Sequence, residues 1–124
     1  MNRTETVSLY DRLGRFDGIT RIVHDVMENH LANPAIRTRF AAARDLDHAK
    51  KMAVEFFCAG CGGPEAYTGR DLVLTHTGMN ISEQEYMAAM DDILAALEKN
   101  DIDPATRGEV TAVLYSLKGQ VIRV

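Results

Sequence analysis

The stretch Glu55-Phe56-Phe57-Cys58-Ala59-Gly60-Cys61-Gly62-Gly63-Pro64-Glu65-Ala66-Tyr67-Thr68-Gly69-Arg70-Asp71-Leu72-Val73-Leu74-Thr75-His76-Thr77-Gly78 sets the organisation of this chain. It reads as the end of one helix, a loop and a second, short helix. Gly62-Gly63-Pro64 stops the first helix, because glycine relieves the left-handed turn at a helix end and proline cannot continue it. The loop runs from Gly62 to about Arg70. Asp71 is a side-chain cap for the short helix, which carries His76 and ends at Gly78.

Working outward, the apolar period is helical almost everywhere. Leu46, Ala49, Ala53, Phe56, Phe57 and Gly60 form the face of the helix that enters the stretch, with Asp45 as its cap. Upstream, Ile19, Ile22, Val23, Val26, Met27 and Leu31 form one face of a helix from about Asp17 to Ala32. Asn33-Pro34 ends it, since the residue before proline avoids the helical region. A turn-like piece with Ile36 and Phe40 follows. Downstream, Ser82-Glu83-Gln84-Glu85 is a capping box. It opens a helix with the stripe Tyr86, Met90, Ile93, Leu94 and Leu97. Asp103-Pro104 starts a last helix carrying Val110, Val113, Leu114, Leu117 and Val121. No segment alternates with period two over a strand's length. The expected class is all-α, with four long helices and one or two short ones.

The 124 residues make one domain, 1–124, with 1–7 as a flexible N-terminal segment. A net charge of −4 on a mixed-sign surface argues against nucleic acid or an anionic membrane as partner. No apolar run approaches the length that spans a bilayer, and the N-terminus lacks an apolar signal core. The expectation is a soluble, cytoplasmic protein. Aromatic residues are few, 4 Tyr and 4 Phe with no Trp. Core-facing Ala49, Ala53, Ala89 and Ala96 either let helices approach closely or leave room for a cofactor.

Four histidines, His24, His30, His48 and His76, are the candidate ligands. His24 and His30 read as boundary residues of the first long helix. No pair has the HxxxH or HExxH spacing of a zinc hydrolase. Cys58-Ala59-Gly60-Cys61 is a CxxC, but Gly62 stands where c-type haem attachment needs histidine. The motif closes a helix rather than opening one, and two further zinc ligands are not evident. It reads as two reduced thiols packing as small hydrophobes, or as a redox switch. No P-loop, dinucleotide or nucleophile-elbow motif occurs.

The pieces Glu55-Phe56-Phe57, Gly62 to Asp71, His76-Thr77-Gly78 and Ile81-Ser82, in that order and spacing, resemble a truncated haemoglobin of the first group. Leu9-Tyr10-Asp11-Arg12-Leu13-Gly14 and Leu31-Ala32-Asn33-Pro34 match the same family. The resemblance covers roughly Ser8 to Val121. It implies a two-over-two helical sandwich enclosing haem b, held without a covalent bond. It places His76 as the proximal ligand to haem iron, Phe40 as an aromatic against the haem, and Phe56 and Phe57 along the pocket and its apolar tunnels. Leu72 joins the cofactor-binding set, and Gly62-Gly63 is the glycine motif before the proximal helix. Imidazole suits iron, and a large apolar macrocycle needs an apolar cleft.

The distal side departs from that pattern. The family's usual tyrosine falls at Met27, its glutamine partner at Ala53, and the other near-iron position at Ala49. None of these side chains donates a hydrogen bond. A donor in so dry a site contributes roughly 1–3 kcal/mol, so losing two weakens oxygen retention by about tenfold or more. Met52 is either an apolar filler beside the haem edge or a sixth iron ligand, which would give a His/Met pair. Lys51, His48 and Met27 are rival sixth ligands.

The resemblance therefore implies reversible binding of a diatomic gas (oxygen, NO or CO), as in oxygen transport, rather than a dedicated enzyme. A reductase is a further partner, and the chain is a monomer or weak homodimer. The alternatives are a six-coordinate redox or electron-transfer haem protein with Met52 on iron, an NO dioxygenase or peroxidase-like enzyme, and a haem-free helical scaffold, against which His76 argues.

Overall fold

Five helices begin at a side chain that accepts a backbone N–H from three residues on. Ser8, Asp45, Asp71, Ser82 and Asp103 take the amides of Asp11, His48, Leu74, Glu85 and Thr106 at 3.0, 3.0, 2.8, 3.1 and 3.0 Å. Each cap satisfies a donor that the helix itself leaves orphaned, a gain of about 1 kcal/mol. The computed structural model describes residues 7–41 and 45–124. Its helices are α1 (Leu9–Arg12), α2 (Arg15–Ala32), α3 (Arg37–Ala41), α4 (Leu46–Gly60), α5 (Leu72–His76), α6 (Glu83–Lys99) and α7 (Pro104–Leu117). Apart from Val7, which is exposed, the expected N-terminal segment lies outside the described residues.

The four long helices pair as α2 with α4 and α6 with α7, and α2 packs against α6 to join the pairs. This is a two-over-two sandwich. Ile19, Ile22, Val23 and Val26 of α2 meet Val54 and Cys58 of α4, Met90, Ile93 and Leu97 of α6, and Val110 and Leu114 of α7. Full burial of one such side chain contributes about 1.5–3 kcal/mol. The close approach of α1 to α2 depends on Gly18, where a Cβ would stand 2.3 Å from the carbonyl oxygen of Leu13. Arg12 reaches across from α1 to Glu109 of α7 through both terminal guanidinium nitrogens.

Three stretches differ from the sequence reading. The Leu9–Arg12 segment is a helix of its own, and the piece with Phe40 is helical as α3. The last helix stops at Leu117, and Val121 is buried beyond a 3-10 turn over Lys118–Gln120 rather than by helical continuation. After that turn the chain runs beside the segment that follows α5. Ile122 bridges Ile81 in parallel, Arg123 N–H donates to Ile81 O at 3.0 Å, and Gly78 N–H donates to Val124 O at 3.2 Å. The C-terminal residues thus fasten the exit of α5. That non-local pairing has no period for a sequence reading to detect. Among the described residues no helix is long and apolar enough to cross a membrane.

Candidate functional site

His76 is the last residue of α5, and its Nδ1 lies 2.8 Å from the carbonyl oxygen of Leu72. The carbonyl can only accept, so Nδ1 carries the proton and donates. The lone pair is then on Nε2, the arrangement in which a neutral imidazole binds a metal while its other nitrogen is oriented from behind. The same bond fixes the plane of the ring. Both His76 and Leu72 are half-buried, while Val73 and Leu74 are 42% and 60% exposed. A five-residue helix with three apolar side chains and none buried has unmet apolar surface.

Helix α4 has the same property. Of its 15 residues only Val54 and Cys58 are buried. Its one extensive helix contact among the described residues is with α2. Ala53 and Phe57 reach the edge of the core cluster, but Ala49, Met52 and Phe56 do not belong to it, and all five are only half-buried. At 100° per residue Ala49, Met52, Ala53 and Phe56 share one face, roughly opposite the face that meets α2. Phe56 sits edge-on to both Phe57 and Tyr67, with centroids 6.5 and 5.3 Å away.

Phe40 on α3 is half-buried and stacks on His30 with centroids 4.5 Å apart and planes at 20°. His30 is no boundary residue: it is 6% exposed, and its Nδ1 lies 2.8 Å from Asp92 Oδ2 on α6. Asn33 donates to both Asp92 oxygens at 3.2 and 3.1 Å. Burial lowers the pKa of His30, partly offset by Asp92, so the ring is neutral at pH 7 and donates from Nδ1. The neighbouring Arg39 makes a two-pronged bond to Glu85, 2.8 and 3.0 Å, and a third, 2.8 Å, to the carbonyl of Met79. Arg39 also holds the Glu85 carboxyl down at about 2. This guanidinium ties α3 to the segment just after α5.

Sequence reasoning missed both networks. Asp92 stands 62 residues from His30, and Glu85 46 from Arg39, distances over which no local pattern reports pairing.

Met27 is buried on α2, 5% exposed, outside the main core cluster. His48 and Lys51 are exposed, and Lys51 lines a cleft on the α2 side of α4, away from Met52. Cys58 and Cys61 are free and buried. Burial, with the Glu65 carboxylate nearby, pushes the Cys58 thiol up to about 11, and burial raises that of Cys61. Both are therefore protonated at pH 7, which is the inert form of a cysteine. Tyr10 donates to Glu65 at 2.9 Å beside them.

Among the described residues no three His, Cys, Asp or Glu side chains gather around one point as an ion site would need. An iron carried by a macrocycle asks for less: one axial imidazole and apolar walls. His76 with a free Nε2, and the half-buried apolar surfaces of α4 and α5, fit that requirement.

The fold and this arrangement are those of a globin. The model of the bacterial-like globin family matches residues 8–123, and the chain belongs to that family. Its relatives are group 1 truncated haemoglobins. The one from Tetrahymena pyriformis is 26% identical over 114 residues, 92% of each chain. The crystal structure of that truncated haemoglobin in its Fe(III) form superposes with a TM-score of 0.90 at 23% identity, covering 94% of this chain and 99% of the other. The 2/2 haemoglobin of a Synechococcus species, in the cyanomet state with covalently attached haem, gives 0.82 at 20% identity over 91% of this chain and 94% of that one. The chain is thus of the truncated-haemoglobin type, and membership of the family implies a haem-binding globin.

Proposed function

We propose that this globin holds haem b through His76 without a covalent bond and reversibly binds a diatomic gas. The carrying observation is the Nδ1–H bond of His76 to Leu72, which leaves Nε2 free, at the edge of apolar surface that the protein itself does not bury. Haem iron, when present, supplies the site at which oxygen, NO or CO binds. His76 would hold the iron through its Nε2. Phe40, Ala49, Met52, Ala53, Phe56 and Leu72 supply apolar walls that exclude water. Arg39 holds α3 to the segment after α5, so the walls keep their spacing. The two thiols lie in the protein core with their protons on, which supports haem b held by coordination and packing alone.

The candidates for the gas-facing positions, Met27, Ala49 and Ala53, have no hydrogen-bond donor. This favours gas binding over NO dioxygenation or peroxidase-like turnover, both of which rely on a polarised ligand. A second reading has one observation in its favour: Met52 is half-buried on the same face as Ala49 and Phe56, where its thioether would be a further group able to hold the iron.

The visible spectrum of the reduced protein tests these readings. A five-coordinate ferrous spectrum that shifts on adding CO supports gas binding. A six-coordinate low-spin ferrous spectrum without added ligand supports the Met52 reading. A spectrum that remains that of free hemin after hemin is added contradicts both.

A further inference from the structure

Helix α3 has five residues and buries none of them. A helix so short does not hold itself in place. Two of its side chains, neighbours in sequence, anchor it. Arg39 grips Glu85 and the carbonyl of Met79. Phe40 lays one face on the ring of His30, with centroids 4.5 Å apart and planes at 20°.

His30 is itself held from α6. Its Nδ1–H donates to Asp92 Oδ2 at 2.8 Å, Asn33 donates to both oxygens of the same carboxylate, and Asn29 donates to the Asp92 carbonyl at 3.0 Å. Glu85 and Asp92 lie about two turns apart on α6 and so share one face. That face therefore holds α3 at two points, directly through Arg39 and at one remove through His30 and Phe40.

A buried imidazole costs stability unless it is hydrogen-bonded, and a leucine there would carry no such cost. What the imidazole adds is direction. The χ2 torsion of histidine or phenylalanine is broad, so burial alone leaves the ring plane loosely set. The Asp92 bond selects one plane for His30, and the near-parallel stack passes that plane on to Phe40. One face of Phe40 is thus covered, and the part of this half-buried ring that stays exposed is its other face and edges.

We infer that His30 is a positioning residue, whose Asp92-bonded ring fixes the Phe40 ring as a flat wall of the cleft and so slows the loss of a planar macrocycle bound there. This rests on the proposed reading of that cleft as a haem site. His30 acts through Phe40, not as an iron ligand.

Two variants separate the ring from the bond. His30→Gln keeps an N–H donor for Asp92 and loses the ring, and His30→Phe keeps a ring and loses the donor. Asn29→Ala is the control: it removes the bond to the Asp92 carbonyl and leaves the His30–Phe40 pair in place. Each protein is loaded with hemin, and hemin loss is followed by transfer to excess apomyoglobin. The ring signals of the 4 Phe are followed by NMR in the same proteins, without hemin and as the ferrous CO form.

Hemin loss from His30→Gln is expected to be about three- to tenfold faster, the scale of one aromatic pair. The Phe40 signals of that variant should shift and broaden with or without hemin. His30→Phe and Asn29→Ala should stay within about twofold of the unaltered rate. A His30→Gln protein with the unaltered rate and unaltered Phe40 signals overturns the inference, and so does an Asn29→Ala effect as large as that of His30→Gln. Hemin loss from His30→Phe that is about tenfold faster than from the unaltered protein overturns it by itself. In these cases hemin uptake by the unaltered protein leaves the haem reading standing. An unaltered protein that takes up no hemin overturns the haem reading and this inference with it.

Discussion

Gly63 and Tyr10 are in contact across the loop that follows α4: a Cβ built on Gly63 would stand 2.5 Å from two carbons of the Tyr10 ring. The approach is held from both sides. Gly63 N–H donates to Cys58 O at 2.8 Å, and Tyr10 N–H donates to Cys61 O at 2.9 Å. The ring's hydroxyl then reaches Glu65 in the same loop. This contact fixes where the chain leaves α4 and so directs the loop towards α5 and His76.

Gly63→Ala therefore destabilises the fold by about 1–3 kcal/mol, since Tyr10 must move and give up its bond to Glu65. Gly108→Ala has the opposite sign. Gly108 lies inside α7 with nothing within 4 Å of an added Cβ, so alanine stabilises by about 0.5–1 kcal/mol. Urea unfolding followed by circular dichroism measures both. Equal effects of the two substitutions would show that the contact with Tyr10 does not matter.

His30 makes stability depend on pH in a stated direction. Its folded pKa lies below the ordinary value near 6.5, because burial disfavours the charged ring. The unfolded chain then binds the proton more readily than the folded one. This contribution is complete above about pH 6.5 and is lost as pH falls through the lower folded value. Unfolding free energy should decline from pH 7 to pH 5, and His30→Gln should flatten the decline while lowering stability throughout. A pH profile that His30→Gln leaves unchanged would contradict this.

The distal residues were legible in sequence only through resemblance. Periodicity alone puts Met27 on the buried face of α2 and Ala53 on an apolar face of α4, and there it stops, because an alanine signals packing and pocket lining alike. Helices and their caps were legible because they are local: Asp45, Asp71, Ser82 and Asp103 sit three residues from the amides they satisfy. His76 stood out in sequence by its place in a short segment between two glycine signals, and its reading as a haem ligand came only through the resemblance. The networks of His30 with Asp92, of Arg39 with Glu85, and of the C-terminal residues with Ile81 were not. Each joins positions more than 40 residues apart, and nothing in a single sequence marks such pairs.

Adding donors to the distal side should slow oxygen release. Met27→Tyr with Ala53→Gln introduces two, each contributing about 1 kcal/mol or more in a dry site, so dissociation slows by about tenfold or more. If Met52 occupies iron, Met52→Ala instead speeds oxygen association. Stopped-flow measurements of both rates separate the cases. Slow release from the unaltered protein, unmoved by any of these changes, would mean that a donor other than these residues faces the gas.

We propose that His76, oriented by Leu72, holds haem. Titration of hemin into the purified protein and its His76→Ala variant, followed in the visible spectrum, tests it most directly. The predicted result is one equivalent bound by the unaltered protein, with the ferrous form showing imidazole ligation. His76→Ala should bind weakly or with another ligand, and added imidazole should restore the original spectrum. A His76→Ala protein that takes up one equivalent and keeps an unchanged ferrous and CO spectrum would contradict the account.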